Sequence, residues 1–158
     1  MIFYFGKTSK LKINDDVLDR LRVYRQLEST DTEAGGVLMG RFLEGSGDII
    51  IDLITEPTEK DTRERCFFRK YLETHQEIVD KVWEESDGTF NYVGEWHTHP
   101  EKHPSPSSHD RKEWKKVLRK TQCESSFLFF IIIGTESIAA WVGNRESEKI
   151  NKLEEWNK

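Results

Sequence analysis

The residue types best suited to chemistry fall in one stretch, Gly94-Glu-Trp-His97-Thr-His99-Pro100-Glu-Lys-His-Pro-Ser-Pro-Ser107-Ser-His-Asp110. His97 and His99 sit two apart in a run, Phe90 to His99, that reads as a strand. Side chains alternate along a strand, so both imidazoles point to one face and can share a metal ion. Pro100 ends the strand because it cannot donate to the ladder. Asp110 falls in the first turn of a helix that begins near Ser107. It lies one turn before Trp114, on the face that also carries Val117 and Leu118. That face packs inward, and a carboxylate aimed at a core needs a compensating partner. A metal ion held with two neutral imidazoles would supply it. Three protein ligands with a fourth position left to water is the arrangement of a catalytic zinc site.

Plainer readings exist for each residue alone. A single His-x-His on a strand is often just two polar residues. Asp110 suits the third position of a helix, where the dipole favours an acid and where it can exchange hydrogen bonds with a capping Ser107. Ser107 by itself reads as a cap. The joint spacing separates the readings, because H-x-H-P-x6-S-x2-D should arise by chance on the order of once in 10⁵ chains of this composition. No P-C-x-x-C element supports a zinc deaminase, and no H-E-x-x-H supports a thermolysin-like helix site.

The elements that must position these residues follow from periodicity. Ile2 to Phe5 and Leu11 to Ile13 read as short strands. Asn14 or Asp15 can cap a helix with Val17, Leu18, Leu21 and Tyr24 on one apolar face. Glu33 to Leu43, a Gly-Ser-Gly turn and Asp48 to Thr55 predict a hairpin. Glu56 to Lys70 is charged and mostly loop, with a short strand about Phe67-Phe68. Leu72, Gln76, Val79 and Val82-Trp83 predict a second helix, and Asp87-Gly88 turns the chain into the His97 strand. After the third helix come strands Ser126 to Ile133 and Ser137 to Val142. The first is continuously apolar and belongs mid-sheet, buried on both faces. A last helix from about Arg145 would carry Ile150, Leu153 and Trp156. Strands interleaved with three or four helices imply an α/β fold, with helices flanking a mixed sheet.

At 158 residues, 35% hydrophobic and 34% charged, the chain suits one compact domain spanning residues 1–158. With 29 acids against 24 bases the formal charge is −5, which argues against a nucleic-acid partner. Cys66 and Cys123 form no CxxC pair and read as reduced thiols in or near the core. The start lacks signal-peptide character, and the longest apolar run, Phe127 to Ile133, is too short to span a bilayer. A cytoplasmic protein without a membrane partner is expected.

The motif resembles that of the JAMM (JAB1/MPN/Mov34-type) metalloproteases, a distant Glu followed by H-x-H-P-x6-S-x2-D. His97, His99, Pro100, Ser107 and Asp110 match it, and Glu33 in Glu33-x-x-Gly36-x-Leu38-x-Gly40 matches the distant acid. The order of elements is also similar over most of the chain. The resemblance implies an MPN/JAB-like, cytidine-deaminase-like layered domain with one catalytic zinc ion held by His97, His99 and Asp110. It further implies Glu33 as the residue that moves the proton and Ser107 as the donor to the oxyanion. Glu95 shares the side-chain parity of His97 and His99 and is the rival base. Glu101, His103 and His109 are expected in solvent or facing substrate.

Within that family the GEWHTHP wording, compact size and upstream helix resemble the JAB-type deconjugating proteases of bacterial CBASS antiphage operons. Those enzymes release a cGAS-like nucleotidyltransferase from proteins to which its C-terminus has been linked. The resemblance implies a zinc-dependent isopeptidase or amidase that cleaves a conjugate at the C-terminus of a ubiquitin-like or cGAS-like nucleotidyltransferase protein, whose extended tail is bound by main-chain hydrogen bonds. Arg63, Arg65 and Arg69 with Phe67-Phe68 could help hold an acidic partner, or form a solvated loop anchored by two aromatics. Two other readings remain: a peptidase that frees an amino acid from a sulfur-carrier protein, and a metal-free MPN scaffold.

Overall fold

The computed structural model describes residues 1–156. Its mixed sheet is built from β1 (Ile2–Phe5), β2 (Ser9–Ile13), β3 (Gly35–Phe42), β4 (Ile49–Ile54), β7 (Asn91–Thr98), β8 (Phe127–Ile133), β9 (Ile138–Asn144), β10 (Ile150–Lys152) and β11 (Glu154–Glu155). A separate hairpin joins β5 (Thr62–Glu64) to β6 (Phe67–Arg69). The helices among the described residues are α1 (Asp15–Val23), α2 (Leu72–Glu85) and α3 (Ser108–Lys120). The sheet order is β10-β9-β8-β7-β3-β4-β2-β1-β11, with parallel pairs β2/β4 and β7/β8. The expected α/β fold, a mixed sheet flanked by helices in a single domain, is what forms.

Two cores lie on opposite faces of the sheet. Val17, Leu18 and Leu21 of α1 pack with Leu38, Ile51, Trp96, Phe129 and Ile131 on one face. On the other, Trp114 and Leu118 of α3 pack with Leu128, Phe130 and Ile132, and Val79 of α2 meets Val37 and Met39. β8 is central and its apolar run is buried on both sides. Asn14 takes the N-cap position of α1, but its amide donates to Asp52 Oδ1 rather than to the helix. The inner face of α2 is formed by His75 and Val79, whereas Leu72 and Trp83 are exposed.

The expected C-terminal helix is not formed. Asn144 Oδ1 accepts from the N–H groups of Glu146 and Ser147, and Glu148 adopts φ 55°, so the chain turns back antiparallel to β9 as β10. Leu153 then enters the main core, and β11 pairs with β1. Helical spacing of Ile150, Leu153 and Trp156 offered one weak apolar stripe. Two open strand edges offered ladder bonds, and burying those edges won. Since β10 and β11 lie at opposite ends of the sheet order and only Leu153 separates them, the sheet curls until its two edges meet.

Candidate metal centre

The site begins with a fault in the ladder. Between β3 and β7, Leu38 pairs with Gly94 and Met39 with Tyr92, leaving Val93 as an extra residue. Such a bulge reverses the alternation of the strand. Val93 and Trp96 therefore both enter the α1-side core, and Glu95 and His97 face the other way, beneath α2 and α3. Gly94 makes this possible at φ 153°, where a Cβ would stand 1.8 Å from Phe129 O. A side chain there is excluded by both conformation and space.

α3 brings the acid to the two histidines. Ser107 is its N-cap: the Ser107 N–H donates to Asp110 Oδ2 at 2.7 Å, and the Asp110 N–H donates to Ser107 Oγ at 3.1 Å. The capping reading of the sequence is thus realised together with the inward aim of Asp110. Trp114, one turn on, stacks on Phe130 and fixes the rotation of the helix. Asp110 Oδ1 lies 3.3 Å from His97 Nε2, Oδ2 lies 3.2 Å from His99 Nε2, and the two Nε2 atoms are 3.0 Å apart.

This donor set fits a metal ion. Two imidazole nitrogens facing each other at 3.0 Å can share at most one proton, so direct hydrogen bonding satisfies the trio poorly. Two nitrogens each about 2.0–2.1 Å from a tetrahedral zinc would stand about 3.3 Å apart, close to the spacing present. The three donor atoms lie within 4.8 Å of one another. Burial depresses the imidazole pKa of His97, against the pull of Asp110. At His99 the same burial is outweighed by the Asp110 hydrogen bond and by the charges of Asp110, Glu33 and Glu101, which raise it. Asp110 is held far below the carboxylate range, because its bonds to His97 and His99 overcome burial.

Glu33 stands next to the trio, with Oε1 3.9 Å from His99 Nε2, and is 5% exposed. Burial pushes its carboxyl up to about 7, with His99 opposing. Its position comes from the backbone: the Glu33 N–H donates to Glu64 O, and Arg63 Nε donates to Glu33 O, both at 2.8 Å. Glu95 faces the same side but is committed to Lys70 Nζ at 2.8 Å. Ser107 is exposed at the rim, and among the described residues its hydroxyl proton has no acceptor. Glu33, Glu95, His97, His99, Ser107 and Asp110 all line one groove of about 1990 Å³ between α2 and α3.

The remaining candidates scatter as expected or take structural work. His103 bonds Ser137, and Glu101 accepts from the Ser105 N–H and approaches His99 Nδ1 at 3.9 Å. His109 is exposed and packs on Phe67 of the hairpin. Arg63 and Arg65 tie the hairpin to residues 28–33 rather than projecting freely. Cys66 is exposed at the hairpin turn, not in the core, and Cys123 is half-buried. Sequence reasoning missed Gln26, Thr55, Asp61, His75 and Thr98, buried polar residues that hold this region together. For His75 a signal existed, four residues before Val79 on the inner face of α2.

A curved mixed sheet presenting two histidines, a helix-borne aspartate and a buried glutamate to one groove defines a metallohydrolase-type centre. The chain belongs to the family of prokaryotic homologs of the JAB domain, whose model matches residues 15–149. It is 34% identical over 154 residues to a CD-NTase/cGAS isopeptidase of Escherichia coli (strain TW11681), covering 97% of this chain and 93% of that one. A CD-NTase/cGAS isopeptidase of Vibrio cholerae is 38% identical, covering 85% of this chain and 81% of that one. A solution structure of a Desulfitobacterium hafniense protein shares the fold, with TM-score 0.62, 16% identity and coverage of 90% and 88%.

Proposed function

We propose that this chain is a zinc-dependent isopeptidase that releases a cGAS-like nucleotidyltransferase from a protein joined to its C-terminus, reversing conjugation in antiphage defence. The chain is a hydrolase of the JAB metallopeptidase kind, and the relatives named as CD-NTase/cGAS isopeptidases support this substrate. The carrying observation is the Glu33 carboxyl 3.9 Å from His99 Nε2, beside three donors that converge from β7 and α3.

His97, His99 and Asp110 would hold the zinc ion. When bound, zinc supplies Lewis acidity toward the scissile carbonyl and the attacking water. Glu33 takes the proton from that water and returns it to the leaving amine, a double task for which its buried position 3.9 Å from His99 Nε2 suits it. The Ser107 hydroxyl, accepting from Asp110 N–H, keeps its own proton for the oxyanion of the tetrahedral intermediate. Glu95, held by Lys70, is left out of proton transfer. The extended tail of the substrate enters the groove between α2 and α3. We place the reaction in the cytoplasm. Among the described residues no helix is long and apolar enough to cross a membrane.

The test pairs two substrates, a nucleotidyltransferase joined through its C-terminus to a lysine and a sulfur carrier extended by cysteine. The expected result is cleavage of the first, its loss on chelation and its return with zinc. Glu33→Ala should keep zinc without turnover, and His97→Ala should lose both. Wild-type turnover by Glu33→Ala would force reassignment of the base. Failure of the zinc-loaded protein to cut the first substrate would overturn the reading.

A further inference from the structure

We propose that Gln26 and Thr98 are positioning residues for this hydrolysis, setting Glu33 at its distance from the strand that carries His97 and His99. The inference rests on the reading of Glu33 and the metal ligands given above.

Gln26 follows α1 and is 2% exposed. A buried primary amide is costly unless its groups are paired. Its Nε2 donates to Arg65 O at 2.8 Å and to Asp31 O at 3.3 Å, and its Oε1 accepts from Thr98 Oγ1 at 3.0 Å. Thr98 is wholly buried between His97 and His99 in sequence. Its hydroxyl has one proton, spent on Gln26, and accepts the Ala34 N–H at 2.9 Å. The Thr98 N–H donates to Ala34 O at 2.8 Å. Ala34 is thereby gripped through both its N–H and its carbonyl by the residue between the two histidines.

Glu33, the next residue back, is gripped from the other side by Glu64 O and Arg63 Nε of the hairpin. Gln26 closes the circuit by bonding Thr98 on one side and Arg65 on the other. Three separate segments, β7, residues 31–34 and the β5–β6 hairpin, are thus registered through one side-chain amide and one hydroxyl. Neither group needs to touch substrate. Their effect on rate comes through placement, since a displacement of about 1 Å at a reacting group can cost about 10²-fold.

The experiment compares Thr98→Val, Thr98→Ser and Gln26→Met in zinc-loaded protein, with the lysine-linked conjugate as substrate. Zinc content, melting temperature, kcat, KM and hydrogen exchange at the Ala34 amide are measured. Thr98→Val keeps the shape and loses the hydroxyl. Its kcat should fall about 10- to 100-fold with zinc retained and KM unchanged, and Ala34 exchange should quicken. Thr98→Ser should recover most of the rate and the slow exchange. Gln26→Met leaves Thr98 in place and carries the same expected fall in kcat, so the inference stays testable if Thr98→Val does not fold. Wild-type kcat in folded, zinc-loaded Thr98→Val or Gln26→Met overturns the positioning role and leaves the isopeptidase reading intact. Wild-type turnover in Glu33→Ala would instead remove the assignment of Glu33 as the base, on which this inference rests, and failure of the wild-type zinc-loaded protein to cut the conjugate would strike the isopeptidase reading itself.

Discussion

Ser107 and Asp110 exchange hydrogen bonds, the serine N–H to Asp110 Oδ2 at 2.7 Å and the aspartate N–H to Ser107 Oγ at 3.1 Å. The box that starts α3 therefore also aims the carboxylate that faces His97 and His99. One serine would serve a helix terminus and an oxyanion, and substitution can separate the two duties. Ser107→Ala should cost about 1 kcal/mol of stability, whereas Ser107→Gly, a tolerable cap, should cost only a few tenths. Both remove the hydroxyl, so both should lower kcat by about 10²- to 10³-fold. Thermal melts beside steady-state kinetics decide it. Rates that track stability, with Ser107→Gly near wild type, would leave Ser107 as a cap alone.

The motif was legible because its geometry is local. Strand alternation puts His97 and His99 on one face, and helical spacing puts Asp110 on the face of Trp114, whatever the rest of the fold does. The long apolar run of β8 likewise fixed a central strand. What sequence periodicity could not carry were contacts across the chain. The bulge at Val93 is visible only against β3, and it decides which face the histidines take. Gln26 reaches Thr98 across 72 positions and His75 reaches Thr55 across 20, and no spacing rule pairs them. At the C-terminus the helical reading of Ile150, Leu153 and Trp156 failed because exposed strand edges, invisible to periodicity, were there to be paired.

Gly94 gives the next prediction. Its φ of 153° and the Phe129 carbonyl facing its α-carbon leave no room for a methyl group. Gly94→Ala must either push β8 from β7 or straighten the bulge, and straightening would turn His97 toward the α1-side core. The expected outcome is a loss of at least about 3 kcal/mol in denaturant unfolding, with zinc binding lost in whatever folds. A Gly94→Ala protein with wild-type stability and full zinc content would mean that the bulge does not set the register of the ligands.

Asp61 and His75 lend themselves to a test by pH. Both side chains are buried, with His75 Nε2 2.9 Å from Asp61 Oδ2. His75 Nδ1 lies 2.7 Å from Thr55 Oγ1, which accepts the Val37 N–H. A neutral imidazole with its proton on Nε2 satisfies the chain, donating to Asp61 and accepting from Thr55. Burial alone would raise the Asp61 carboxyl, but hydrogen bonds from the Thr58 and Tyr71 N–H groups and from His75 leave it below the ordinary aspartate value. A depressed value in the folded state means that the group stabilises the fold above the unfolded-state pKa of about 3.9. That contribution is withdrawn as pH falls from there through the lower folded value. Asp61→Ala leaves three donors, the His75 Nε2–H and the Thr58 and Tyr71 N–H groups, without their acceptor and should cost about 3–5 kcal/mol near neutrality, at about 1–3 kcal/mol for each buried donor left unpaired. Asp61→Asn keeps the shape without the charge, so the stability gap between it and wild type should narrow as pH drops below about 4. Denaturant unfolding of both proteins at a series of pH values measures the gap. Since Asp61 anchors the start of the hairpin that holds Glu33, loss of hydrogen-exchange protection at the Glu33 amide should accompany the loss of stability. A gap that stays constant down to pH 2 would mean that the aspartate charge does nothing for this loop.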